Sequence, residues 1–76
     1  MEIKIGEKKY IIRELTADEM QDILADGKRT NKEVNYEIVA KSIGIPKEEI
    51  GKLSAKEYFV LLRKCNELNG LSGDFQ

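Results

Sequence analysis

Apolar and polar residues alternate with a period of two at the start of the chain. Ile3 and Ile5 lie between charged residues, and the segment YII at positions 10–12 follows a turn signal at Gly6. This alternation predicts a β-hairpin over residues 2–14, because successive side chains of a strand point to opposite faces. A lone hairpin is marginally stable in water, so one face should pack against helices. The residues expected on that face are Ile3, Ile5, Tyr10 and Ile12.

After position 14 apolar residues recur every three or four positions, as one face of a helix requires. The spacing predicts helices at about 17–26, 32–43 and 55–69, with a short extra turn at 47–50. Threonine or serine precedes glutamate by three positions at Thr16–Glu19 and Ser54–Glu57. This spacing is typical of the capping box that begins a helix. Glycines at positions 27, 44 and 70 are expected to end the three main helices.

The pattern therefore predicts an α+β fold, mainly α, in which an N-terminal β-hairpin packs on a small bundle of three helices. Residues 1–69 are expected to form a single small domain, and residues 70–76, which contain two glycines and no periodicity, are expected to form a flexible C-terminal tail. Phe59 is expected to widen the apolar stripe of the last helix. The residues expected to be mostly buried are Ile12, Leu15, Met20, Ile23, Leu24, Ile38, Val39, Ile43, Leu53, Tyr58, Leu61, Leu62 and Cys65.

Composition and charge narrow the classes of partner. The chain has 76 residues and a formal net charge of −1, which removes the long-range attraction to phosphate that most nucleic-acid modules use. We therefore expect no nucleic-acid partner. The chain also lacks the roughly 20 consecutive apolar residues of a membrane span, and its first residues do not resemble a signal peptide. A cytoplasmic protein with no membrane contact is expected.

The chain has no histidine and one cysteine, Cys65. Zinc sites built on clusters of cysteine and histidine are therefore excluded, and the commonest general base is missing. Cys65 lies in the apolar stripe of the last helix, where core packing is the expected role. The acidic residues of the first helix are interpreted as a solvated face rather than a cation site. We predict a protein that is not an enzyme, with no catalytic, cofactor-binding or metal-ligating residues and no cofactor.

Ala40, Gly44 and Ile50 have the offsets of the small residue, turn glycine and buried aliphatic residue of a helix-turn-helix. This match supports an alternative function, a small DNA-binding regulator of a phage or prophage. The segment after Gly44 carries Glu48 and Glu49, whose carboxylates would repel DNA phosphates. A tight turn that packs Ile50 under the next helix is the preferred interpretation.

The C-terminal tail carries two apolar residues, Leu71 and Phe75, in a segment that cannot form a core by itself. Such residues either fold back or serve as anchors for a partner. We predict Leu71 and Phe75 as partner-binding residues, with an exposed Tyr36 as a further candidate. Self-association is also expected, because a small domain gains stability by burying residual apolar surface against a copy of itself.

Two segments resemble a known family, the small tail assembly chaperones encoded by long-tailed phages and prophages. One is RELTADE at positions 13–19, where the hairpin leads into a capped, acidic helix start. The other is IGIPKEEIGKLSAKEY at positions 43–58, with glycine and proline before two acids and an acid–tyrosine pair at its end. Glu57 replaces the aspartate often seen in the family.

The resemblance implies a non-enzymatic factor in the cytoplasm of the bacterial host. It implies two partners, the tape-measure protein, which the chaperone keeps soluble, and the tail-tube protein, whose polymerisation it promotes. It implies no catalytic or cofactor residues.

Overall fold

The computed structural model describes residues 1–25 and 27–70. Two antiparallel strands, β1 (Glu2–Ile5) and β2 (Lys8–Ile11), come first. Four helices follow, and they are α1 (Ala17–Leu24), α2 (Asn31–Ile43), the single turn α3 (Lys47–Ile50) and α4 (Ala55–Leu68). The predicted α+β class, mainly α with an N-terminal hairpin, is confirmed.

The hairpin has the alternation that its sequence predicts. Ile3 pairs with Tyr10 across the two strands, and both side chains are partly buried against the core, as is Ile5. Gly6 has a φ of 61°, which suits the first position of a tight hairpin turn. Ile11 faces the other way and is 71% exposed.

Side-chain caps begin the three longer helices. Thr16 accepts a hydrogen bond from the backbone N–H of Glu19, and the Glu19 carboxylate accepts from the backbone N–H of Thr16, so the predicted capping box of α1 is confirmed. Ser54 caps α4 by accepting from the N–H of Glu57. The Glu57 carboxylate does not complete the box, because it accepts from the hydroxyls of Tyr10 and Ser54 instead.

Glycine ends α2 and follows the end of α4, whereas α1 ends earlier than predicted. Gly44 has a φ of 75° and donates its N–H to the carbonyl of Ala40 at 2.8 Å. Gly70, with a φ of 80°, follows the C-cap residue of α4. Helix α1 ends at Leu24 with Ala25 as its C-cap, so the predicted end at Gly27 is wrong.

The core lies around α2, which contacts α1, α3 and α4. Most of the residues predicted for the core are buried or packed against it, and Ala40, Ser42 and Ile50 are buried with them. Two predictions are wrong. Leu24, the last residue of the short α1, is 43% exposed, and Phe59 is 62% exposed. Phe59 follows Tyr58, so the turn of α4 carries its side chain away from the stripe that packs on the core.

Asn69 links three segments at the end of α4. Its Oδ1 accepts from the N–H of Leu15 at 2.7 Å, and its Nδ2 donates to the carbonyl of Cys65 at 2.9 Å and to the Ser42 hydroxyl at 3.4 Å. This side chain holds the loop before α1 and the last turn of α2 against α4. Among the helices of the described residues, none is long and apolar enough to cross a bilayer.

Candidate protein-binding surface

A shallow groove lies where the first turns of α2 face α3. Its volume is about 250 Å³, and its wall is mainly apolar. Pockets for small molecules usually measure about 300–1,000 Å³, so this groove suits a single side chain of a partner better than a cofactor. The residues that line this α2–α3 groove are Lys32, Glu33, Tyr36, Lys47, Glu48 and Gly51.

The short connection after α2 creates the groove. Pro46 has an extended backbone and begins α3, which closes after one turn at Gly51. A Cβ atom at Gly51 would lie 3.6 Å from Cε2 of Tyr36, in ordinary van der Waals contact. The missing side chain of Gly51 therefore leaves open space beside the Tyr36 ring.

Three aromatic rings extend from the groove along α4, and we name them the aromatic row. The ring centroids of Tyr36 and Tyr58 are 5.2 Å apart, and those of Tyr58 and Phe59 are also 5.2 Å apart. Both pairs meet edge to face, at interplanar angles of 64° and 62°, which is a favourable geometry for aromatic rings. On the groove side, Lys32 Nζ lies 5.5 Å from the centroid of the Tyr36 ring.

Phe59 is the most exposed ring of the aromatic row. Tyr36 and Tyr58 are partly buried, and Phe59 is 62% exposed. Burial, together with the neighbouring Tyr36, raises the pKa of Tyr58 above its usual value, so its phenol is neutral at pH 7. The outermost ring is held by its helix and by Tyr58, and such a rigid aromatic side chain loses little freedom when a partner covers it.

The groove carries both signs of charge in equal number. Lys32 and Lys47 contribute two positive charges, and Glu33 and Glu48 contribute two negative ones. Glu33 lies in the first turn of α2, where its carboxylate accepts a hydrogen bond from the Thr30 hydroxyl at 3.3 Å. A groove without net charge does not select a uniformly acidic or basic partner.

One of the three predicted partner-binding residues lines the groove. Tyr36 forms part of the wall, although it is partly buried beneath Lys32 and beside Tyr58 rather than exposed as predicted. Leu71 and Phe75 lie outside the described residues. Sequence reasoning assigned Phe59 to the core and missed it as a surface residue. Its position on α4 could have identified it. Phe59 follows Tyr58, which belongs to the apolar stripe, and the next residue of a helix points about 100° away.

The residues of the helix-turn-helix pattern pack as such a motif packs. Ala40 and Ile50 are buried, and Gly44 adopts the left-handed conformation of a turn. The segment that should read DNA differs, because α3 has four residues and the chain turns at Gly51. A recognition helix must be long enough to present several side chains to base edges.

Nucleophilic chemistry at Cys65 is disfavoured by its surroundings. The side chain is fully buried, and burial raises the pKa of its thiol to about 11, despite a hydrogen bond with Ser42 that acts in the opposite direction. The thiolate is the reactive form of cysteine, so this thiol is inert at neutral pH. The part of the chain that the structure describes contains no cluster of three or more acidic, cysteine or histidine side chains that could hold a metal ion.

The groove and the aromatic row thus offer contact area for a protein partner. Comparisons with protein-family models, with curated proteins and with solved structures found no match to this chain.

Proposed function

We propose that this protein is a phage tail assembly chaperone that acts in the bacterial cytoplasm. It binds the tape-measure and tail-tube proteins without catalysing a reaction, keeps them soluble and promotes tail assembly. The observation that carries the proposal is the exposed ring of Phe59, which Tyr58 connects to Tyr36 in the wall of the α2–α3 groove. The resemblance of residues 13–19 and 43–58 to the family supports the choice of partners.

The aromatic row suits a factor that covers apolar surface on another protein. Removing a side chain such as Phe59 from water is worth about 1.5–3 kcal/mol, and a few aromatic anchors dominate small interfaces. The neighbouring groove is large enough for one apolar side chain of the partner. An apolar, aggregation-prone segment of a tail protein would therefore bind across α2, α3 and α4.

Co-expression with the tape-measure protein tests the proposal. The readout is the fraction of tape-measure protein that stays in the supernatant after centrifugation. The intact chaperone should raise this fraction, and Phe59→Ser should lose most of the gain. Ile11→Ser is the matched control, because Ile11 is similarly exposed but lies on the outer face of the hairpin. The chaperone function would be rejected if the intact protein bound neither tail protein.

The predicted tail anchors need a separate experiment. A chain that ends at Gly70 lacks Leu71 and Phe75 but keeps the N–H of Gly70 that donates to the Glu67 carbonyl at 3.2 Å. We expect this shortened chain to rescue less tape-measure protein than the full chain. An unchanged rescue would show that Leu71 and Phe75 are not anchors, and would leave the aromatic row as the binding surface.

A further inference from the structure

The α2–α3 groove is a concave feature of the surface, and the exposed ring of Phe59 is an apolar projecting one. Tyr58 separates them, with ring centroids 5.2 Å from Tyr36 on the groove side and 5.2 Å from Phe59 on the other. Phe59 does not line the groove of its own chain, and its ring is 62% exposed. In a two-fold interface the same patch is used by both copies, so each copy can place its projecting ring in the concave feature of the other.

We infer that this face is an interface between two copies of the chain, in which Phe59 of each copy enters the α2–α3 groove of the other. The volume of the groove, about 250 Å³, suits one aromatic side chain rather than a larger ligand. A two-fold axis near Tyr58 places both insertions in one interface. The dimer is the form of the purified chain, in which no client competes for this face, and it does not depend on the proposed chaperone function.

The charges around the groove favour a second copy over other occupants. Lys32 and Lys47 line the groove together with Glu33 and Glu48, and these charges cancel within each copy. When two identical surfaces meet, the lysines of one copy can face the glutamates of the other. The net charge of −1 per chain leaves little repulsion between the copies. If a strongly acidic or basic peptide bound there, half of the charged groups of the groove would face groups of the same sign.

Sedimentation equilibrium of the purified full chain tests the dimer. We expect a monomer–dimer equilibrium in which Phe59→Ser raises the dissociation constant by at least about thirtyfold, as loss of a central aromatic anchor does. Ile11→Ser removes an equally exposed apolar residue from the hairpin and should leave the constant unchanged. A chain that stays monomeric up to about 1 mM, the range of the weakest specific complexes, would overturn the inference. Equal effects of the two substitutions would also overturn it.

A mixing experiment tests the reciprocal insertion. Gly51→Leu should fill the groove without straining the backbone, because Gly51 has a φ of −66° and its nearest neighbour would be the Tyr36 ring. This variant and Phe59→Ser should each dimerise poorly. A mixed dimer keeps one intact contact, between Phe59 of the first variant and the open groove of the second. Equimolar mixing should therefore restore association, whereas association no stronger than in either variant alone would exclude reciprocal insertion.

Circular dichroism of each variant shows whether it is folded, so that loss of association is not confused with unfolding. The two proposals fail in different ways. A monomeric chain whose rescue of tape-measure protein still depends on Phe59 would overturn the dimer and assign the groove to the client. A dimer that depends on Phe59 but rescues no tail protein would support the interface and reject the chaperone function.

Discussion

Glu19 is the most strongly stabilised carboxylate among the described residues. Arg13 donates to both of its oxygens, at 2.8 and 2.7 Å, and the backbone N–H of Thr16 donates at 2.9 Å. Hydrogen bonds from Arg13, followed by that from Thr16, lower the pKa of Glu19 from 4.5 to about 2. The loop before α1 is thereby tied to the first turn of the helix.

This low pKa makes the stability of the fold depend on pH. The folded state holds Glu19 ionised more strongly than the unfolded state does, so its contribution is complete above pH 4.5 and is lost as the pH falls towards 2. Arg13→Met should raise the pKa of Glu19 towards its ordinary value and weaken the acid dependence. Carbon-13 NMR titration of the carboxyl groups measures this directly. Lys9→Met is the control, and a Glu19 that titrates near pH 4.5 in the unaltered protein would contradict the prediction.

Asn69 should contribute more to stability than a helix-end asparagine usually does. Asn69→Ala removes three side-chain hydrogen bonds and leaves the N–H of Leu15 without its acceptor, which should cost about 1–3 kcal/mol of unfolding free energy. Urea denaturation measures the loss. Asn31→Ala, at the exposed first position of α2, should change stability by less than about 0.5 kcal/mol. Similar losses in the two variants would show that Asn69 has no special role.

At the scale of secondary structure, two glycines provide a matched comparison of backbone conformation. Gly44 lies three residues before α3, and Gly51 lies one residue after it. Gly44 has a φ of 75°, whereas Gly51 has a φ of −66°, and neither has a neighbour that would clash with a Cβ atom. Gly44→Ala should therefore destabilise the protein by about 1–2 kcal/mol through the left-handed backbone alone. Gly51→Ala should be neutral or slightly stabilising. Thermal unfolding measures both, and equal midpoints would contradict the assignment of Gly44 as the residue that ends α2.

The helix starts show what the sequence could predict at this scale. The capping box of Thr16 and Glu19 was predictable, because both residues lie in one helical turn. Ser54 and Glu57 have the same spacing, but Glu57 accepts a hydrogen bond at 3.0 Å from Tyr10, which is 47 positions away. Lys8 Nζ lies 3.6 Å from the same carboxylate oxygen. Only the packing of the hairpin against α4 brings these partners together, and local spacing contains no information about it.

The errors in the predicted core have a similar origin. Leu24 would continue the apolar side of α1, but the helix ends there and leaves the side chain 43% exposed. Phe59 is apolar and next to Tyr58, yet its position on α4 turns it towards solvent. The hydrophobicity of a residue predicts only that it tends to be buried. Where the helix ends and which way the side chain points decide whether other residues pack against it.

At the scale of the whole molecule, the aromatic row combines segments that are distant in sequence. Tyr36 was predicted as a candidate, but its contact with Tyr58 and its place in the groove depend on how α2, α3 and α4 pack. The short turn at 47–50 was predicted and Gly51 closes it, while the space that Gly51 leaves beside Tyr36 follows from tertiary structure. Sequence patterns therefore predicted the elements of this surface better than the surface itself.

The net charge of the whole molecule is the basis of a prediction about the DNA-binding alternative. We expect a gel-shift titration at low salt to show no sequence-selective complex, because a net charge of −1 permits little release of counterions from DNA. The four-residue α3 also carries Glu48 and Glu49, both exposed. Selective binding that Lys47→Ala and Lys52→Ala weaken would contradict this prediction and favour a regulator.

Dimerisation should also appear in the stability of the whole molecule. At 76 residues, one core typically supplies about 3–5 kcal/mol, so an interface adds a large share of the total. Association stabilises the folded state by mass action, by about 0.7 kcal/mol per chain for each tenfold rise in concentration above the dissociation constant. For a domain of this size, that corresponds to a rise of about 3–5 °C in the unfolding midpoint. Differential scanning calorimetry over a hundredfold range of concentration should show about twice this rise in the unaltered chain and in Ile11→Ser, but no rise in Phe59→Ser. A midpoint that does not change with concentration in the unaltered chain would mean that the folded state gains nothing from a second copy.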